Sequence, residues 1–268
     1  MNAPALLDYG RRPWMLAVFA AAFLFLYFPI AALIAFSFNA SGRTVVWEGF
    51  TLAHYAKAYA NDHLHEAFLN TLVVAFASTA MATVLGTLLG VALHRFRFPG
   101  RAAYEGWLHL PIAIPEICMG VALLAFFAAL DVELGLLTMI ASHIAFSVPF
   151  VALVVRARYQ RFDPALAEAS RDLGADEVET FRRVVLPFLA PGIVAGALLA
   201  FTLSIDDFVI SFFVSGPGST TLPIKIYSMV RLGVTPEVNA ASTVLIVITA
   251  VVVLVMVRLQ ARGGRVLP

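Results

Sequence analysis

The stretch 163–187, DPALAEASRDLGADEVETFRRVVLP, lies between two long apolar runs and reads as two short helices hinged on a glycine. Asp163 before Pro164 is a helix start. The carboxylate accepts from free amides of the first turn, and proline at the first helical position lacks only an N–H that would go unpaired anyway. This helix is expected to run to about Leu173, with Gly174 as the left-handed residue that ends it. Asp176 then caps a second helix, with Glu179 three residues on in a capping-box arrangement. The second helix is expected to reach about Leu186, and Pro187 to begin the turn into the next apolar run. Rigid amphipathic helices transmit a push, and their mixed charges suit a polar partner surface. A solvated connector between two spans is the alternative that these residues alone leave open.

The flanking runs decide the solvent. Of 268 residues 61% are hydrophobic and 13% charged, against about 45–50% and about 25% in a soluble domain. So small a globule cannot bury that excess, and a bilayer supplies the second apolar solvent. Six runs reach the roughly 20 residues that a crossing helix needs, at about 14–38, 67–93, 107–130, 134–156, 188–215 and 239–257. They are continuous rather than alternating, which excludes a β-barrel and requires helices, because lipid offers the backbone no hydrogen-bond partner. The first run follows Arg11 and Arg12 and is too long for the apolar core of a cleaved signal, so it reads as a retained anchor.

Orientation follows from the basic residues. Arg11, Arg12, Arg95, Arg97, Arg101, Arg156, Arg158, Arg161, Arg171, Arg182, Arg183, Arg258, Arg262 and Arg265 fall on one side; Arg43, Lys57, Lys225 and Arg231 fall on the other. That is 14 of the 18 basic residues on the side that holds both termini, the loop near 94–106 and the loop 157–187, which is therefore expected to be cytoplasmic. The segments near 39–66, 131–133 and 216–238 are expected outside. The net charge of +1 gives no reason to expect nucleic acid, and the single cysteine, Cys118, excludes an intrachain disulfide and a cysteine metal cluster.

With the loop placed in that compartment, its spacing resembles the EAA loop of binding-protein-dependent ABC importer permeases. That pattern is EAA, three residues, glycine, nine residues, then I-x-L-P. Here Glu168, Ala169 and Ser170 are followed by three residues and Gly174, and nine more lead to Val184, Val185, Leu186 and Pro187. Ser170 replaces the second alanine and Val184 the isoleucine. The segment WEGFTLAHYAKAY (47–59), LNTL (69–72) and the stretch 204–240 are similar to permeases of the spermidine/putrescine group, so the likeness covers roughly 14–258. It implies an all-α, type I importer permease in the bacterial inner membrane, with six spans and a coupling loop between the fourth and fifth. The coupling helix would be about 164–173. It also implies partners: an ATP-binding subunit dimer that carries ATP and Mg, a second permease chain, and an extracytoplasmic solute-binding protein. The chain itself has no G-x-x-x-x-G-K-[ST] loop, so no nucleotide or other cofactor is expected on it and it is not expected to be an enzyme alone.

Three carboxylates fall inside the apolar runs: Glu116, Asp206 and Asp207. Each costs about 2.5–3.5 kcal/mol at a helix centre on insertion scales, so such residues usually face a cavity or a partner. Glu116 is expected near the midplane of span three, roughly 13 Å in, where Pro111 and Pro115 loosen the helix. Asp206 and Asp207 are expected towards the outer end of a continuous fifth helix, pointing about 100° apart, so that at most one faces a path squarely. Carboxylates that stay ionised suit a cation such as a polyamine, and Phe208, Phe212 and Phe213 add faces for cation–π contact. The bland alternatives are interfacial aspartates in contact with water and a Glu116 that is protonated or bridged to a neighbouring helix. His143 reads as packing or hydrogen bonding rather than as a ligand; His54, His63 and His65 make no metal cluster. SGPGSTTLP (215–223) reads as a structured outer loop, with a plain connector as its alternative. Two other functions remain to be weighed. An ion-gradient transporter does not need the two-helix loop, and a membrane enzyme needs a nucleophile–base or metal constellation that the spans lack.

Overall fold

The computed structural model describes residues 13–42 and 46–263, so Arg11, Arg12, Arg43 and Arg265 of the charge asymmetry lie outside the described residues. Twelve α-helices are described: α1 Pro13–Phe36, α2 Ala53–Ala60, α3 Asp62–Arg95, α4 Arg101–Ala113, α5 Glu116–Ala129, α6 Leu136–Tyr159, α7 Pro164–Asp172, α8 Glu177–Thr180, α9 Leu186–Ile205, α10 Val209–Val214, α11 Leu222–Leu232 and α12 Pro236–Gly263. Among the described residues no strand forms, and one isolated bridge pairs Asn39 with Phe50. Among the described residues five helices are long and apolar enough to cross a membrane, and the bent pair α4–α5, counted as one broken span, brings the number to six. The described residues divide into two compact units, one within 62–228 and 245–263, the other within 13–42, 46–61 and 229–244.

In the larger unit α3, α6 and α9 pack on one another. Lipid tails are as apolar as leucine, so burial of apolar side chains does not by itself drive helices together; close backbone approach and good packing do. Gly86 and Gly90 on α3 permit that approach. A Cβ on Gly90 would sit 2.7 Å from the Ala152 carbonyl oxygen, and one on Gly86 would sit 2.6 Å from Val151 Cβ. Val151, Val155, Leu189 and Ala200 then pack between α6 and α9, and Met139, Phe146, Ile210 and Val214 between α6 and α10.

Two apolar runs that read as straight spans are broken. Span three is α4 and α5, which meet at an angle of 111°. Pro115 donates no hydrogen bond and holds Ile114 extended, at φ −81° and ψ 130°, because a residue before proline is pushed out of helical space. Glu116 is therefore the first residue of α5, exposed, and not the middle of a continuous helix. Span five ends as a regular helix at Ile205 and resumes as α10 at Val209. Asp206 and Asp207 thus occupy a break, and the 100° separation expected on one helix does not apply.

The smaller unit contains α1, α2 and the segment between them. Asn39 organises that segment: its Nδ2 donates to the Val46 carbonyl (2.6 Å), and its Oδ1 accepts from the Glu48 N–H (2.9 Å). His54 Nε2 lies 3.0 Å from the Asn39 carbonyl oxygen, and Ser37 Oγ and Tyr55 OH hydrogen-bond at 2.6 Å. The backbone thereby keeps its hydrogen bonds where it leaves helical geometry. Along α1, Phe19, Leu24, Phe25 and Phe28 are exposed, as an element solvated by lipid requires.

Candidate functional site

The loop after α6 is anchored by Arg158. Its Nε donates to the Phe188 carbonyl (3.1 Å), its guanidinium lies over the Phe188 ring (4.2 Å), and its stem passes where a Cβ on Gly192 would stand. Asp163 Oδ1 then accepts from the Ala165 N–H at 2.9 Å, so α7 starts where the sequence predicts. At the other end, Gly174 N–H donates to the Arg171 carbonyl and Ala175 N–H to that of Ser170, at 2.9 and 3.2 Å. This is a Schellman closure, and it requires the left-handed φ of +91° that Gly174 adopts. Ser170, the departure from alanine, hydrogen-bonds Thr180 at 3.2 Å and ties α7 to α8.

Asp176 Oδ1 accepts from the Glu179 N–H (2.7 Å), but the Glu179 carboxylate pairs with Arg183 (3.1 Å) instead of completing the box. The second helix does not end at Leu186, and Pro187 begins no turn. α8 passes through a π turn, Phe181–Val185, directly into α9, where Pro187 sits in the first turn. Glu177–Ile205 is thus one continuous helical span. Leu186 and Pro187 are exposed and Val184 half-buried. Pro187 has no N–H to donate, and it falls where the π turn has already interrupted the regular i→i−4 ladder. No residue of α7 is buried, and Glu168, Ala169 and Leu173 face outward. Glu168 makes no hydrogen bond or ion pair among the described residues.

The second site lies at the break after α9. Asp207 is spent on the protein. Its Oδ2 accepts from the Ser211 N–H at 2.7 Å and lies 3.3 Å from His143 Nε2, its Oδ1 accepts from the Ile210 N–H at 3.3 Å, and its side chain is 7% exposed. A side-chain acceptor that takes the amides of residues three and four ahead competes with the helix, which is why the chain breaks here. Asp206, one residue earlier, is exposed and feels the negative charges of both Asp207 and Glu116. Phe213 of α10 packs where a Cβ on Gly120 of α5 would stand, so the two broken spans meet. Phe208 packs at a tilt against Tyr227 (4.5 Å between ring centres) and Phe212 (5.5 Å) beside the aspartates. Among the described residues no group of three metal-ligating side chains forms.

Residues 82–263 match the family described as binding-protein-dependent transport system inner membrane component. The chain belongs to this family. Relatives within the importer permeases extend the match over almost the whole length. The chain is 43% identical over 244 residues to the spermidine/putrescine transport system permease protein PotC of Escherichia coli (strain K12), covering 91% of each protein. It is 38% identical over 262 residues to the putrescine transport system permease protein PotI of the same organism, covering 95% of this chain and 93% of that one. Its fold matches a crystallised bacterial ABC transporter involved in the import of the acidic polysaccharide alginate, with a TM-score of 0.72, 18% identity, and coverage of 98% and 97%.

Other elements of this permease acquire physical reasons. In LNTL, Asn70 Nδ2 donates to the carbonyls of Gly218 and Thr220, both at 3.1 Å, and Thr71 Oγ1 accepts from the Leu222 N–H at 2.8 Å. The loop 215–223 is therefore structured and fastened to α3, as its composition suggests. His143 does hydrogen-bond, but its full set of partners has no signal in the sequence. The serines it meets lie 61 and 68 residues away and look like ordinary small residues of apolar helices.

Proposed function

We propose that this permease subunit carries polyamines across the bacterial inner membrane, driven by ATP hydrolysed on a separate pair of subunits. The observation that carries the reading is the acidic group at the paired breaks, Glu116, Asp206 and Asp207. Support for the cargo comes from PotC and PotI, whose names specify spermidine and putrescine. A polyamine brings two or more ammonium groups. Ionised carboxylates offset the loss of their hydration, and the Phe208 face adds about 0.5–2 kcal/mol of cation–π attraction. An anionic solute would meet like charges at the same point, which disfavours it by the same electrostatics.

In this reading α7 is the coupling helix, with Glu168, Ala169, Ser170 and Gly174 as its signature residues and Val184, Leu186 and Pro187 as its link into α9. ATP and Mg are held by the ATPase subunits, and none is expected on this chain. Closure of the ATPase pair displaces α7. The continuous helix Glu177–Ile205 carries that displacement to the break at Asp206. A second permease chain completes the path, a solute-binding protein delivers cargo from outside, and both termini face the cytoplasm.

The test is uptake of labelled putrescine and spermidine by the complete importer in proteoliposomes. ATP-dependent uptake is expected, falling about tenfold, or about 1.4 kcal/mol, in each of Asp206→Asn and Glu116→Gln at equal assembly. Uptake of neither amine, with ATP-driven accumulation of an anion instead, overturns the reading.

A further inference from the structure

We propose that His143 is a positioning residue of the translocation site: it holds Asp207 in place as the cap of α10, so that Asp206, and not Asp207, is the carboxylate presented to the cargo. This rests on the cation-path reading above. His143 belongs to α6 and is 3% exposed at its side chain, so it is placed to act through Asp207 rather than by contact with a cargo.

Asp207 Oδ2, a carboxylate oxygen and so an acceptor, lies 3.3 Å from His143 Nε2, within ion-pair range. Nδ1 hydrogen-bonds the Ser204 hydroxyl at 2.7 Å, and Ser204 in turn meets Ser78 Oγ at 3.1 Å. Nε2 also lies 2.9 Å from Ser211 Oγ. One chain of buried polar groups, Ser78, Ser204, His143 and Asp207, thus joins α3, α9 and α6 to the break, with Ser211 of α10 at its end. Such groups are costly to bury singly and stable as a set. Thr138, five residues before His143 on the same helix, donates to the Val214 carbonyl at 2.9 Å and fixes the far end of α10. α6 therefore holds α10 at both ends.

The two aspartates are divided by these contacts. Asp207 has both oxygens engaged by backbone amides and the imidazole and little room for a further ligand. Asp206 is exposed and has no side-chain partner among the described residues. Without His143, Asp207 loses a donor, the cap of α10 loosens, and the backbone that sets Asp206 is no longer fixed.

The experiment is a double-mutant cycle on polyamine uptake by the complete importer in proteoliposomes, with assembly and basal ATP hydrolysis measured alongside. His143→Leu and Asp207→Asn are each expected to lower uptake about tenfold, the size of one lost charge-assisted hydrogen bond. The double variant is expected to be no worse than either single, because both act through one contact. His143→Gln, whose amide donates from nearly the same place, is expected to recover most of the uptake lost in His143→Leu. A product of about a hundredfold in the double variant, or no difference between glutamine and leucine at position 143, overturns the proposal. If Asp206→Asn transports normally, the cation path itself fails; if only the cycle is multiplicative, the path stands and the role of His143 falls.

Discussion

Gly174 shows how much one residue settles. Its φ of +91° closes α7 with two hydrogen bonds, and no atom lies within 4 Å of where a Cβ would stand. Substitution is therefore penalised by the backbone and not by space. Gly174→Val is expected to destabilise the loop by roughly 1–2 kcal/mol and to lower uptake while ATP hydrolysis persists, which a ratio of ATP consumed to polyamine transported will measure. Asp163→Ala removes the opposite cap and is expected to cost about 1 kcal/mol, read as faster amide hydrogen exchange confined to α7. Both roles were legible in the sequence, because caps depend on residues adjacent in the chain. The role of Asp207 was not. Its bonds to the amides of Ile210 and Ser211 are local, but the imidazole beside the carboxylate lies 64 residues earlier and has no signal in the sequence.

At the scale of elements, α7 is a helix without a buried side chain, capped at its ends, tied to α8 through Ser170 and exposed along its other face. Its free acid is expected to be read by a partner. Glu168→Lys is expected to reduce the ATPase recovered with the purified permease several-fold, while the fold of the permease is unchanged by circular dichroism. Equal recovery would move the contact elsewhere on the loop. The apolar runs were legible because length and hydropathy report directly on a bilayer. The breaks within them were legible only in part. Pro115 was visible as a disturbance, yet the 111° angle depends on how α4 and α5 pack. The π turn at Phe181–Val185 has no compositional mark, and the proline that follows it reads naturally as a turn.

Across the larger unit, the glycines of α3 set how closely α3 and α6 approach. Gly90→Val would drive a side chain into the Ala152 carbonyl, and the backbone there cannot give way as a flexible side chain does. A cost of about 1–3 kcal/mol is expected, seen as a lower Tm of the detergent-solubilised complex. Gly106→Ala, with nothing within 4 Å of its Cβ position, is the matched control and is expected to be neutral.

The bare surface of the loop also bears on the lifetime of the subunit before it finds its partners. Leu173 is 89% exposed, Val178 74% and Leu166 50%, all on a segment that is not lipid-facing in the proposed topology. In the proposed reading an ATPase subunit covers them; uncovered, these side chains offer the surveillance proteases and chaperones of the cell an apolar handle. If α7 is the coupling helix, synthesis of the permease in excess of an ATPase partner is expected to be self-limiting, with orphan copies cleared and assembled ones persisting. A pulse-chase in cells lacking the ATPase is expected to show a shortened half-life, restored when Leu173 is replaced by serine.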